Sequence, residues 1–356
     1  MNRMAVWRVV CLASVCGLLG QWWGVVAATS APHAPAAPVA CDAADAAVPW
    51  RQVAPSVWVW SPPQVADVGA ANAGFVMPVS ALVDGKRAWV IDPGPSYLHG
   101  RRVRSSLRCQ TGADVVGVVN THAHSENVLG NAAFADGTAI YALKETAEAM
   151  AVRCPQCLES LTARVGGDAM AGTRIVLPTH SLTPGVDLVW GRYRLQVLPA
   201  ERGHTDGDLL LWWPEHAWLW AGGLVYEGRV PELAQGSLEG WLAALDRLMA
   251  LQPRGVVSAT VSVAGPATPV PAAVQATRGY LRALRDAVWA AMDAGASPHD
   301  TTLLALPAYA HWAGYAERHG FNAQRAWREL EPAWMDRATP ATPASPASRL
   351  PPVHNQ

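Results

Sequence analysis

Five residues, Val115-Val116-Gly117-Val118-Val119, run without a polar interruption from Asp114 to Asn120. They lead straight into Asn120-Thr121-His122-Ala123-His124-Ser125-Glu126-Asn127. A short apolar run with no alternation is the pattern of a strand buried on both faces, and layered α/β folds supply that environment. Ligand and catalytic residues in such folds collect at the carboxyl ends of strands, where this chain places two histidines. In extended chain alternate side chains share a face, so the spacing sets His122 and His124 side by side. A third, His204, lies about 80 residues on in Gly203-His204-Thr205-Asp206-Gly207-Asp208-Leu209. Three imidazoles of this kind make a cradle for a zinc ion whose fourth position stays open to water.

The rest of the chain fits the same architecture. Short apolar runs at Val57–Trp60, Gly74–Met77, Ser80–Val83 and Ala88–Ile91 are punctuated by Gly, Pro and Asp, as strands joined by tight turns are. The fourth run stops at Asp92-Pro93-Gly94. His99 to Arg108 reads as a helix, and Leu143 to Met170 as a second helical region. Strand patterns resume at 188–190, 194–198, 209–213 and 218–221. A clear helix follows, with Trp241, Leu245, Leu248 and Met249 on one stripe, Ser237 placed to cap it and Pro253 ending it. Val256-Val257 is a short last strand, and beyond Pro271 the pattern is helical. Leu281, Leu284, Val288 and Met292 form a stripe closed by Gly295, and Phe321 to Leu330 makes another helix.

Charge excludes one class of partner. With 27 basic and 28 acidic residues and no basic block, the chain lacks the concentrated Lys and Arg that nucleic acid requires. Tryptophan is overused, 17 against 3 phenylalanines, and core packing accounts for such a set more readily than an aromatic-lined cleft. Arg3 and Arg8 precede an uncharged stretch from Val9 to Cys41, and Val26-Ala27-Ala28 offers the small residues of a cleavage site. Residues 1–28 therefore read as an export signal, with no membrane span after its removal. Residues 29–52, rich in Ala and Pro at their start, are expected to form a flexible lead-in, and 337–356 a disordered tail. Four cysteines outlast the signal: Cys41, Cys109, Cys154 and Cys157. An even number in an oxidising compartment favours two disulfides, with three connectivities open. Cys154-Pro155-Gln156-Cys157 also has thiol redox spacing, but without a thioredoxin-like context a structural bond or pair is the favoured reading.

The strand order, Asp92-Pro93-Gly94, the Thr121–Asn127 run and Gly203-His204-Thr205 together resemble the metallo-β-lactamase superfamily. That resemblance implies an αββα sandwich over residues 53–264, with metals at one edge between two sheets, and leaves 265–336 as a helical C-terminal extension. Val128-Leu129-Gly130-Asn131-Ala132-Ala133-Phe134, Gly240–Asp246 and Asn322–Glu331 are further similar to the SoxH-like zinc metallohydrolases of quinoprotein relay systems. Carried over residue by residue, the first metal position falls on His122, His124 and His204. The second does not survive. Glu126 stands where the family has Asp, Asn127 where it has His, Gly223 where a bridging Asp belongs, and Thr260 near the final His.

A zinc ion on three neutral histidines lowers the pKa of bound water to about 7, so one site suffices for hydrolysis. Glu126, expected on the histidine face of the strand, is the candidate catalytic residue, holding that water or acting as general base. Asp92 and Asp208 are expected to support the histidine loops by hydrogen bonds, and His180, His216, His311 and His319 to be surface or packing residues. The reading is an exported, periplasmic hydrolase with one zinc ion, acting on an ester, thioester or related carbonyl of a small molecule. The SoxH-like resemblance implies a setting beside quinoprotein or cytochrome components. The alternative is an inactive accessory or binding protein that kept the fold.

Overall fold

The structure is a computed structural model and describes residues 41–200, 202–265, 271–300 and 302–338. The expected signal (1–28), the first part of the lead-in and the end of the tail lie outside these residues. Thirteen strands form two sheets among the described residues. The first sheet holds β1 (Arg51–Ala54), β2 (Val57–Trp60), β3 (Val79–Asp84), β4 (Arg87–Ile91), β5 (Asp114–Val119), β6 (Ala139–Leu143) and β7 (His180–Leu182), in that spatial order. The second runs β13-β12-β11-β10-β9-β8, from β8 (Leu188–Trp190), β9 (Tyr193–Pro199), β10 (Leu209–Trp213), β11 (Trp218–Trp220), β12 (Gly255–Val257) and β13 (Val261–Val263). Strands β4 to β7 pair in parallel, and β5 is buried between β4 and β6 as its unbroken apolar run requires.

Alternation along β10 shows how the layers are made. Leu209, Leu211 and Trp213 point between the sheets, joining Val57, Val59, Trp89, Ile91 and Val119 of the other sheet in one core. Leu210 and Trp212 point the other way, into a second core with the C-terminal helices. The Trp220 indole donates to Ser80 Oγ at 2.8 Å and so bridges the two sheets with its buried polar atom satisfied. Outside the first sheet lies α2 (Tyr97–Thr111), whose Val103 and Leu107 pack on Val90, Val115 and Val118. Outside the second lie α5 (Leu238–Ala250), α6 (Ala272–Asp293) and α7 (Tyr315–Ala338), which share the larger core. The remaining helices are α1 (Ala43–Ala46), α3 (Ser125–Val128) and α4 (Lys144–Val165). Helix, sheet, sheet, helix is the order of layers, the expected αββα sandwich with a helical C-terminal region.

The structure departs from the sequence expectation at three places. Residues 41–50 are held in place, because Cys41 is bonded to Cys109 of α2 and Trp50 is buried with its indole donating to Ser106 Oγ at 2.9 Å. Gly74–Met77 is buried irregular chain with no strand partner. Among the described residues one disulfide forms instead of two, and Cys154 and Cys157 are free thiols one turn apart on α4. Among the described residues, no helix is long and apolar enough to cross a membrane.

Candidate metal centre

The strand β5 ends at Val119, and the two histidines sit in the loop beyond it, with His124 as the N-cap of α3. They converge through the loop's own path and not through strand alternation. His124 keeps extended dihedrals (φ −90°, ψ 142°), so the turn into α3 follows it immediately. A reciprocal pair of amide bonds between Asn120 and Asn131, at 3.0 and 2.7 Å, anchors the start of the loop. His204 arrives from the β9–β10 connection, which is tied to the same loop where Leu209 N donates to Thr121 O at 2.9 Å.

Together His122, His124 and His204 bring one ring nitrogen each to within 4.8 Å of one another, all three residues buried. Ring centroids are 5.0, 5.2 and 4.5 Å apart. Hydrogen bonds assign the tautomers. The Thr121 hydroxyl donates to Asp92 Oδ2 at 2.6 Å, so it accepts the His122 Nδ1–H at 2.9 Å. That leaves His122 Nε2 with a lone pair and no partner, a buried orphan. His204 Nδ1–H donates to the Glu232 carbonyl at 2.9 Å, which turns its Nε2 into an acceptor. His124 Nδ1 faces that Nε2 at 2.8 Å, sharing a single proton between the two rings. Replacing that proton by a cation would satisfy all three nitrogens at once. The donor set therefore fits a nitrogen-loving divalent ion such as zinc.

Electrostatics agree. Burial, followed by the neighbouring imidazoles, holds His122 and His204 well below the ordinary histidine range, so both stand neutral as ligands must. Burial pushes the Asp92 carboxyl up to about 7 and that of Asp208 up to about 6, against the hydrogen bonds from Thr121 and Thr205. A cation at the cradle would favour the ionised form of both. Asp92 accepts from Thr121 N at 2.9 Å as well, and Asp208 accepts from Thr205 N at 2.8 Å and Thr205 Oγ1 at 2.6 Å. Asp92 does this from a left-handed backbone (φ 55°), a conformation that costs a non-glycine residue about 1 kcal/mol.

The second-ligand positions are filled by other packing. A Cβ on Gly223 would overlap the His204 ring and lie 3.0 Å from His122 Nε2, so the space of a side chain there belongs to the cradle itself. Asn127 is buried and its amide turns to Asp92. Thr260 lines a different cavity, with Tyr226 and Arg229. Among the described residues the three histidines are the one cluster of three or more His, Cys, Asp or Glu side chains close enough together to share a metal ion. Glu126 does not share a strand face with them. It lies in the first turn of α3, on the wall of a cavity of about 400 Å³ that His124 also lines.

Several residues of this site lie outside any sequence motif. Glu232 and Arg318 line the cavity, and the Arg318 guanidinium pairs with Glu232 and with Asp67. These groups come from three distant segments, so no local pattern announces them. Trp241 packs its ring 5.0 Å from His204, and its stripe position on α5 was the available clue. Of the other histidines, His319 is buried, bonded to Leu304 O at 2.7 Å and to the Tyr280 hydroxyl at 3.1 Å, which is a packing role.

No curated protein sequence matches the chain. A solved metallo-beta-lactamase from Pontibacter korlensis is similar in structure, with a TM-score of 0.49 and 18% identity, covering 65% of this chain and 98% of its own. The model of the metallo-beta-lactamase superfamily matches residues 73–259, over half of the chain and spanning all three histidines. The chain belongs to the metallo-beta-lactamase superfamily.

Proposed function

We propose that this protein is an exported hydrolase that uses one zinc ion, held by His122, His124 and His204, on an ester, thioester or related carbonyl of a small molecule. The observation that carries the reading is the convergence of three buried ring nitrogens within 4.8 Å, one of them without a partner. Bound there, zinc supplies a Lewis acid for the carbonyl and a water acidic enough to attack it near neutral pH. Thr121 and the Glu232 carbonyl fix the rings of His122 and His204, so the ligand lone pairs are aimed before any ion arrives. His124 is the ligand that lines the cavity, and a substrate enters on its side. Glu126, on the same wall, is positioned to take a proton from the attacking water and return it to the leaving group. The amino-terminal charge pattern supports export to the periplasm, and the SoxH-like segments support a place beside quinoprotein or cytochrome components.

Gly223 and Asn127, where the superfamily's second-site ligands would stand, favour the competing reading of an inactive binding protein. Metal analysis of the protein recovered from a periplasmic fraction without chelators separates the two. The hydrolase reading expects about one zinc per chain, lost in the His122→Ala/His204→Ala variant, with turnover of aryl ester or thioester substrates that falls with it. A chain that takes up no zinc when it is offered is the accessory protein. Zinc bound without turnover of any ester or thioester would leave a metal-dependent binding role.

A further inference from the structure

Helix α4 carries Cys154 and Cys157 one turn apart, and the two thiols are unequal. Cys154 is fully buried beside Ala123 and Val128, directly behind the histidine loop. Cys157 is half-buried and lines the same cavity as His124 and Glu126. Pro155 lies between them, so the carbonyl of Ala151 has no i+4 amide to accept from and α4 is locally freed. Residues one turn apart on a helix are close enough for a disulfide after a modest local adjustment. The chain forms a disulfide elsewhere, between Cys41 and Cys109, and Cys154 and Cys157, three residues apart on α4, are free thiols.

We infer that Cys154 and Cys157 form a dithiol site in the cleft wall that reduces a small disulfide, R–S–S–R, with Cys157 as the attacking thiol and Cys154 as the resolving one. The Cys157 thiolate attacks one sulfur of the ligand. The ligand's S–S bond breaks, R–S⁻ leaves with the electron pair and takes a proton, and a mixed disulfide remains on Cys157. Cys154 then gives up its proton and attacks the Cys157 sulfur, releasing the second R–S⁻. The balance is a two-electron oxidation of the dithiol to the Cys154–Cys157 disulfide and reduction of R–S–S–R to two thiols. A hydrogen bond from the Cys154 thiol, more than any other group, draws Cys157 down to about 7, and the same bond, with burial, raises Cys154. The exposed sulfur is thus the one ready to attack. A cavity of about 400 Å³ suits a small disulfide and not a folded protein.

The test is to mix the folded, full-length protein, with Cys11 and Cys16 replaced by Ser in every form compared, with 5,5′-dithiobis(2-nitrobenzoate) and follow both the released thionitrobenzoate and the intact mass. Wild type is expected to release two anions per chain and end without an adduct, having lost only two hydrogens. Cys154→Ser should release one anion and keep the adduct on Cys157, and Cys157→Ser should release none on that timescale. Two adducts retained on the wild type would overturn the inference. So would release that begins only after unfolding by denaturant. Because the wild-type mass decides the matter alone, a variant that fails to fold does not blunt the test, and metal loading is not an input to it.

Discussion

Thr121 is the residue on which the first histidine depends. Its hydroxyl stands between His122 Nδ1 and the Asp92 carboxylate, and its amide holds the other carboxylate oxygen. Replacing Thr121 by Val keeps the shape and removes the acceptor, so His122 loses its fixed tautomer. Zinc affinity, measured by competition with a chromogenic chelator, is expected to fall about 10- to 100-fold. Gly223 has a different constraint, since any side chain there enters the cradle. Gly223→Asp should lower zinc content below the wild-type value, and a gain to two ions per chain would contradict the packing described. For Cys157 the reactive species is the thiolate, half formed near pH 7 because Cys154 stabilises it. Its alkylation by iodoacetamide should rise with pH and level off above about 7, whereas an ordinary thiol keeps accelerating to about 8.5.

At the scale of elements, α5 and α7 are joined at a cap. Ser237 Oγ accepts from Gly240 N at 3.0 Å, the cap expected from sequence, and donates in turn to Glu329 of α7 at 2.7 Å. The same Glu329 carboxylate accepts from Leu238 N and Glu239 N at 2.8 and 3.0 Å, covering the exposed amides and positive end of α5. Glu329→Ala is expected to cost about 1–3 kcal/mol, read from the midpoint of chemical unfolding, since several amides lose a charged acceptor. The helix α3 teaches a contrary lesson. An extended run was expected through Glu126, but four residues wind into a helix at Ser125, and Glu126 leaves the histidine face. His124 itself is the N-cap there, although its ring makes no capping bond. Local pattern could not show this, because the ring is aimed instead at His204 by tertiary packing.

Across the whole molecule, the Cys41–Cys109 disulfide closes a segment of 68 residues that includes β1 to β4. Loop-closure entropy for that length is worth on the order of 4 kcal/mol, so reduction should lower unfolding stability by about 2–5 kcal/mol. A thermal scan with and without reductant checks this, and Cys41→Ser/Cys109→Ser should reproduce the reduced value. The C-terminal helices are structural in an equally direct way. They complete the apolar core over the second sheet, and Arg318 of α7 reaches the cavity wall to pair with Glu232 and Asp67.

Two kinds of information decided this protein. The strand periods, the apolar stripes of α5 and α6 and the Ser237 cap were legible in sequence because each rests on neighbours a few residues apart. The layer order and the three histidines followed from them through resemblance to one family. What the tertiary structure decided rests on groups tens or hundreds of residues apart. It set which ring nitrogens face one another, which carbonyl fixes His204 and which arginine lines the cavity. It also buried one cysteine of α4 and turned the thiol of the other toward the cleft. A side chain's partner, unlike its helical or extended state, is fixed by the packing of elements, and no window of sequence contains it.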